Sequence, residues 1–317
     1  MNNSSGLYRL IPLGIGLLVM LFMAAKGCQE GPFGRRQLVQ LNPQEEAELG
    51  AQAYQKVLSE SRVVERGPAV DAVKEVGRRL AVASSDPRFL ERFKLRLDRH
   101  FDWEFRLLQS PEINAFCLPG GKVAVYTGIL PVCETEAGLA VVMGHEIGHA
   151  LARHGAERMA QAKLVQVGQI AVATSLGGMD PYQQQQIMGL LGLGAQYGVL
   201  LPFSRKHESE ADHIGVLLMA TAGYDPREAP KFWVRMANAT SSRGQPPQFQ
   251  STHPSHETRI HDLQEWVETE ALALYEGSEH APNRPLSSAS ALSARPPPPP
   301  RPEPGKSGMK GKGYEFK

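Results

Sequence analysis

Between Glu134 and Ala162 the apolar positions Leu139, Val142, Met143, Ile147 and Leu151 recur at helical spacing, which predicts one long helix buried along that stripe. Upstream, Asn42 stands where a helix cap belongs, Pro43 suits the first turn, and Glu45 can close a capping box, so a helix is expected to run to about Ser59. A second is expected over about Ala69 to Ala83. Residues 101–109 and 122–127 are rich in aromatic and β-branched side chains and are separated by Pro111, Pro119, Gly120 and Gly121. They read as strands of a small sheet. The apolar stretches Leu164–Leu176 and Ile187–Leu201 fall below the roughly 18 residues of a bilayer span and are interrupted by Gly and Gln, so both are expected as buried helices. A helix bearing Glu208 and Asp212, one over about Pro226–Ala239 and one over about Ser255–Tyr275 complete the pattern.

The ends of the chain follow other rules. Residues 1–28 join Arg9 to an apolar run from Leu10 to Ala25 and then Lys26-Gly27-Cys28, which reads as a signal peptide or membrane anchor. Ala25 and Gly27 before Cys28 resemble a bacterial lipoprotein signal, with Lys26 a departure from it. A lipidated Cys28, an uncleaved anchor and a buried structural helix are the alternatives. The first two place the body of the chain outside the cytoplasm, attached to a membrane, and the lipoprotein signal would put it on the periplasmic side of a bacterial cell envelope. Residues 29–41 read as a tether, 42–276 as the folded domain, and 277–317 as a disordered tail with unbroken prolines from Pro297 to Pro300. Cys117 and Cys133 flank one strand and are either a disulfide of an oxidising compartment or two buried small hydrophobes. With 34 basic against 33 acidic residues, the chain offers no electrostatic case for nucleic acid. Function must therefore be sought in a site.

His145-Glu146-Ile147-Gly148-His149 supplies one. Positions four apart share a helix face, so both imidazoles can point at one ion. Glu146 is rotated about 100° from His145, which puts its carboxylate beside the metal, where it can take a proton from water. The bland alternative, two surface histidines on an amphipathic helix, fits poorly with Val141, Val142, Met143, Ile147 and Ala150 as neighbours. A third ligand of the metzincin pattern would need Gly at 152 and His at 155, but the chain has Ala152 and Gly155. His154, off that register by one, reads as a solvated helix residue. A glutamate from a second helix is the remaining choice. Glu208 and Asp212 share a face, so one can ligate Zn2+ while the other accepts the far N–H of a ligand histidine. Glu210 points roughly 160° from that pair and reads as a surface charge or salt-bridge partner. Three protein ligands and one open position is the catalytic count.

The ordered set of Asn114-Ala115-Phe116 with Pro119-Gly120-Gly121, His145 to His149, Ser204-Arg205 through Glu208 to Asp212, and Thr252-His253-Pro254 with Arg259 resembles the zinc metallopeptidase family of HtpX and the CAAX prenyl proteases. Within that family the likeness is to periplasmic single-domain members of the BepA and LoiP kind, over about residues 40–275. The resemblance implies an α+β gluzincin fold, mainly helical, with a small sheet forming the edge of the active-site cleft. It implies one Zn2+ per chain held by His145, His149 and Glu208, with Asp212 behind them and Glu146 as base. Substrate is expected to add as a strand along Asn114, Ala115 and Phe116. The implied substrates are unfolded or misfolded envelope proteins. The chain departs from its kin in having no tetratricopeptide repeat region and no multi-span membrane body. His253 sits where the family places a histidine near the metal: it either stabilises the oxyanion, occupies the open zinc position, or is a turn histidine. Arg205 and Arg259 either tie helices to the cleft by carboxylate pairing or are surface arginines. The competing function is a zinc-binding chaperone or scaffold that cuts nothing, with a latent protease closed by His253 between the two. A prenyl-protein processor is disfavoured by the expected address outside the cytoplasm.

Overall fold

The structure, a computed structural model, describes residues 8, 10–93, 100–177, 180, 182–183, 204–241, 249, 253 and 258–286. The expected helix over Ile187–Leu201 lies outside the described residues, as do Thr252 and Pro254. In chain order the elements are α1 (Ile11–Gly27), β1 (Cys28–Glu30), β2 (Arg36–Leu38), α2 (Pro43–Glu60), β3 (Val63–Val64), α3 (Pro68–Ala83), α4 (Pro87–Arg92), β4 (Glu104–Leu108), β5 (Ala115–Leu118), β6 (Lys122–Tyr126), α5 (Leu130–Cys133), α6 (Glu136–Leu151), α7 (His154–Ser175), α8 (Arg205–Thr221), α9 (Glu228–Ser241) and α10 (Arg259–Trp266). A π turn over Val267–Ala271 joins α10 to α11 (Leu272–Glu276). The result is an α+β architecture, mainly helical around one small mixed sheet.

Local chemistry explains the elements that frame the site. Asn42 Oδ1 accepts the Glu45 N–H at 2.9 Å while the Glu45 carboxylate accepts the Asn42 N–H at 3.0 Å, so α2 starts with both halves of a capping box. In α3, Val73, Val76 and Leu80 fall on one buried face, and Gly77 admits the Phe105 ring of β4, which a Cβ would meet at 2.4 Å. The sheet runs β3-β4-β6-β5, with β4 and β6 parallel and the other pairs antiparallel. β5 is its open edge, and it lies along α6.

α6 and α8 cross almost backbone to backbone. A Cβ on Gly144 would stand 3.0 Å from the Gly215 carbonyl oxygen, one on Gly148 would stand 2.9 Å from that of Ala211, and one on Gly215 would stand 2.8 Å from the His145 nitrogen. Both helices are buried nearly all round, with Leu139, Val142, Met143, Ile147, Ile214, Leu217 and Leu218 packed into the main core.

Four expectations are corrected by the packing. The helix expected over Glu134 to Ala162 is two helices, because Arg153 adopts a left-handed conformation (φ 59°) between α6 and α7. Its guanidinium is held by Glu46 and donates to the Leu41 carbonyl oxygen at 2.7 Å, tertiary bonds that offset the strain of that conformation. Residues 29–41 form the β1–β2 hairpin instead of a tether, with Gln37 and Val39 buried and the Phe33 ring stacked on His213 at 4.6 Å. The folded body runs past 276: the Leu286 N–H donates to the Glu134 carbonyl, the Glu136 N–H to that of Arg284, and Asn283 Oδ1 caps the Ala137 N–H at 3.0 Å. Finally, Leu164–Leu176 belongs to α7 and is not a separate buried helix; it lies against α1, with Ile170 59 % exposed. Cys117 and Cys133 are free thiols, Cys133 buried and Cys117 partly so. Among the described residues no helix is long and apolar enough to cross a membrane.

The crossing makes a prediction against helix propensity. Gly215→Ala should destabilise the protein by about 1–3 kcal/mol, since its new methyl meets backbone, whereas Gly155→Ala, with no atom within 4 Å, should hold or gain up to about 1 kcal/mol. Urea unfolding midpoints of the two variants measure the difference, and equal effects would contradict the crossing as described.

Candidate metal centre

One turn of α6 presents His145 and His149 on the same face, and the N-terminal turn of α8, capped by the Ser204 side chain, brings Glu208 beneath them. His149 Nε2 lies 3.1 Å from His145 Nε2, and the Glu208 oxygens lie 3.5 Å from His145 Nε2 and 3.4 Å from His149 Nε2. His253 Nδ1 completes the group, 3.1 Å from Glu208 Oε1 and 3.3 Å from His145 Nε2. All four side chains are buried, and their donor atoms lie within 4.8 Å of one another. A tetrahedral zinc with bonds of about 2.0–2.1 Å sets its donors roughly 3.3 Å apart, so this donor set fits one such ion in both chemistry and spacing.

The carboxylates behind the group are themselves clamped. Asp212 Oδ1 accepts from His145 Nδ1 at 2.9 Å, which turns Nε2 toward the cluster as the nitrogen available to an ion. Arg259, 2 % exposed, donates from Nε to Asp212 Oδ2 at 2.6 Å and from Nη2 to Glu208 Oε2 at 3.0 Å, while its guanidinium stacks 3.5 Å from the Trp233 centroid. Arg259 therefore ties α10 to α8, whereas Arg205 is exposed. Burial by itself would raise the Asp212 pKa, but Arg259 and His145 outweigh it and hold it below the usual carboxylate range. Burial pulls His145 down, yet Asp212 and Glu208 prevail and raise it to about 9; His149, dominated by burial, falls to about 3. Trp233 and Phe249 wall the cluster on the side of His145, with ring centroids 5.4 and 6.1 Å from its own.

Glu146 points to the same place from the next position of α6. Its Oε1 is buried with no hydrogen-bond partner among the described residues, and it stands 3.5 Å from His253 Nε2. Burial raises its pKa, opposed by His253, His145 and the backbone N–H of Cys117. That last contact joins it to the sheet edge. The Tyr126 N–H donates to the Asn114 carbonyl, and Phe116 and Leu118 face Ala124 and Lys122. By antiparallel alternation, Ala115 and Cys117 then turn their main-chain groups away from β6, toward the open edge. Asn114 Oδ1 holds the Ala115 N–H at 2.9 Å. Ala115 is buried and Phe116 half-buried, its ring edge-on to Tyr126.

Two residues that the sequence reading set aside belong to the site. His154 is fully buried, with Nδ1 2.9 Å from His149 Nδ1 and Nε2 2.6 Å from Glu210 Oε2, so it is not a solvated helix residue. Glu210 is a salt-bridge partner, of Arg35, but it is buried and not a surface charge. A signal for Glu210 was present: the apolar residues that follow it, from Ile214 through Ala220, go round the whole helix; no comparable pattern marks His154.

Comparison with known proteins agrees with this geometry. The sequence profile of Peptidase family M48 matches residues 72–267. The chain is 44 % identical over 165 residues to the mitochondrial metalloendopeptidase OMA1 of Schizosaccharomyces pombe, covering 52 % of this chain and 47 % of that one. It is 32 % identical over 221 residues to the human metalloendopeptidase OMA1, mitochondrial (68 % and 41 %), and 32 % over 163 residues to the beta-barrel assembly-enhancing protease of Yersinia pestis (50 % and 33 %). The chain thus spans about half the length, or less, of these relatives. The expected bacterial-envelope address is overturned, since the relatives of higher identity are mitochondrial proteins from yeasts and a plant. A profile match over most of the ordered body, laid on a buried His-His-Glu-His cluster, places the chain in Peptidase family M48.

Proposed function

We propose that the chain is a membrane-associated zinc endopeptidase that hydrolyses peptide bonds in unfolded or misfolded proteins. One observation carries this reading: a buried carboxylate oxygen of Glu146 with no hydrogen bond among the described residues, beside a cluster with the donor set and spacing of a zinc site, under an open sheet edge. His145, His149 and Glu208 would hold the ion, which when bound acidifies a water and polarises the scissile carbonyl. Glu146 takes the proton of the attacking water and delivers it to the departing amide nitrogen. The carbonyls of Ala115 and Cys117 in β5, whose N–H groups are held by Asn114 Oδ1 and Glu146, are the main-chain acceptors on which an extended substrate aligns, so recognition rests on backbone and tolerates many sequences. An unfolded segment meets that requirement and a folded one does not. Asp212 and Arg259 keep His145 and Glu208 in register. A non-catalytic scaffold has no use for the Glu146 carboxylate.

His253 supports a second reading. Its Nδ1 stands at donor spacing from Glu208 and His145, which makes it a fourth ligand able to close the site in a resting enzyme.

Membrane association rests on α1 and α7. Leu10, Ile15, Leu17, Leu18, Leu21 and Phe22 are each more than half exposed. The two helices run antiparallel, with Gly16 against Ala171 and Gly168 beside Met20. Leu10 to Ala25 and Leu164 to Gly177 carry no charged side chain, and Lys26 and Lys163 lie at the domain end of each run. A charge-free, apolar projection with a cationic base suits insertion into one face of a lipid bilayer.

Glu146→Gln should lower kcat for casein cleavage about 10²–10⁴-fold with zinc content unchanged; wild-type rates in that variant would refute Glu146 as the base. His253→Ala should raise the resting rate if the fourth-donor reading holds, and a fall with zinc retained would assign His253 to the oxyanion instead. Leu18→Glu with Phe22→Glu should abolish flotation on phospholipid vesicles while leaving casein cleavage intact; continued flotation would exclude α1 as the attachment.

A further inference from the structure

Behind His149 lies a run of buried polar side chains that no hydrolytic step uses. His149 Nδ1 and His154 Nδ1 face each other at 2.9 Å. Two facing ring nitrogens at that distance share one proton. With Nε2 of His149 turned to the metal cluster, its Nδ1 carries that proton and donates it, and His154 Nδ1 accepts. His154 then bears its own proton on Nε2, which donates to Glu210 Oε2 at 2.6 Å. Glu210 is in turn gripped by Arg35, whose Nε lies 3.2 Å from both carboxylate oxygens and whose Nη2 lies 3.0 Å from Oε2. Arg35 also pairs with Glu157, at 2.9 Å through Nη1 and 2.8 Å through Nη2, and Glu157 accepts from His207 at 3.1 Å.

The two helical ligands therefore end on the same kind of anchor. His145 reaches an arginine-clamped carboxylate directly, through Asp212 and Arg259, while His149 reaches one through an intervening imidazole, Glu210 and Arg35. Arg35 differs from Arg259 in its origin. It stands in the β1–β2 hairpin, outside the residues that match the family profile, and that hairpin directly follows the helix proposed to contact lipid. Its side chain is 27 % exposed and lines a cleft of about 530 Å³ with Phe33, Arg205, His213 and Trp266. The chain from His149 thus reaches solvent at Arg35.

We infer that Arg35 is a positioning residue for the zinc ligand His149, acting through Glu210 and His154, so that the N-terminal hairpin is a working part of the metal site. Seating of the hairpin sets the orientation of His149, and unseating it loosens zinc. Outer partners of this kind contribute about 10–100-fold to metal affinity. The inference rests on the zinc site itself. A wild-type chain that takes up no zinc would defeat that reading, whereas the variants below, measured against a zinc-binding wild type, test the hairpin alone.

The experiment is chelator competition for zinc on the full chain, with thermal unfolding of each metal-stripped variant alongside. Glu210→Gln should weaken zinc affinity about 10–100-fold. Glu157→Gln removes an equally buried partner of the same Arg35 that lies off the path to His149, so it should lower thermal stability comparably while changing zinc affinity less than about threefold. Arg35→Gln reads the same path one bond further out and decides the matter if Glu210→Gln does not fold; its zinc affinity should fall by at least about threefold. Equal zinc affinities in the Glu210 and Glu157 variants, or wild-type affinity in Arg35→Gln, would overturn the inference and leave the network a packing device.

Discussion

The near-contact of α6 and α8 at Gly144, Gly148, Ala211 and Gly215 is the constraint on which the rest depends. Only side chains of hydrogen or methyl size let two helix backbones approach this closely. The close approach holds the first turn of α8 under His145 and His149, where the Glu208 carboxylate meets both imidazoles at 3.5 and 3.4 Å. The helix propensity forfeited at each glycine, about 1 kcal/mol, is offset by the core packing of both helices. Everything else at the site is arranged around that crossing: β5 lies along α6 on one side, and α10 brings Arg259 to α8 on the other.

Such a crossing buries charge, and the structure shows how the cost is contained. Glu208 and Asp212 are almost wholly enclosed, yet Arg259 lies between them and rests on Trp233, and each carboxylate also faces an imidazole. Removing one partner from a buried charge set costs about 3–5 kcal/mol, so these groups persist or fail together. Glu146 is the exception. Its buried Oε1 has no hydrogen bond among the described residues, only the His253 imidazole 3.5 Å away, and an unsatisfied buried acceptor costs about 1–3 kcal/mol. A carboxylate kept in that condition beside the donor cluster is poised to receive a proton, which is the requirement on a general base.

Much of this was legible in the sequence because it is local. The His145 to His149 spacing, the Glu208–Asp212 pair and the Asn42 capping box each lie within a single helix, where periodicity alone fixes which side chains share a face. The strands expected over 101–109 and 122–127 are β4 and β6, whereas the open edge β5 was expected only from the family resemblance at Asn114-Ala115-Phe116. What escaped the sequence depends on distant partners. Nothing near Arg153 announces a left-handed residue, since Glu46 and the Leu41 carbonyl supply what offsets it. Residues 29–41 look like a tether until Arg35 meets Glu157 and Glu210, and residues 277–286 look like a tail until they pair with Glu134, Glu136 and Ala137. Register alone puts His154 in solvent, and helical geometry turns Glu210 away from the Glu208–Asp212 pair toward the surface or a salt bridge; both give direction but not what lies in that direction.

The central claim is that this crossing builds a site for one zinc ion from imidazole and carboxylate donors. X-ray absorption at the zinc edge on the purified full chain tests it most directly. The account predicts one zinc per chain with nitrogen and oxygen neighbours at about 2.0–2.2 Å and the scattering pattern of at least two imidazoles. A shell containing sulfur at about 2.3 Å, which would bring a cysteine such as Cys117 into the site, or a chain that retains no zinc, would contradict it.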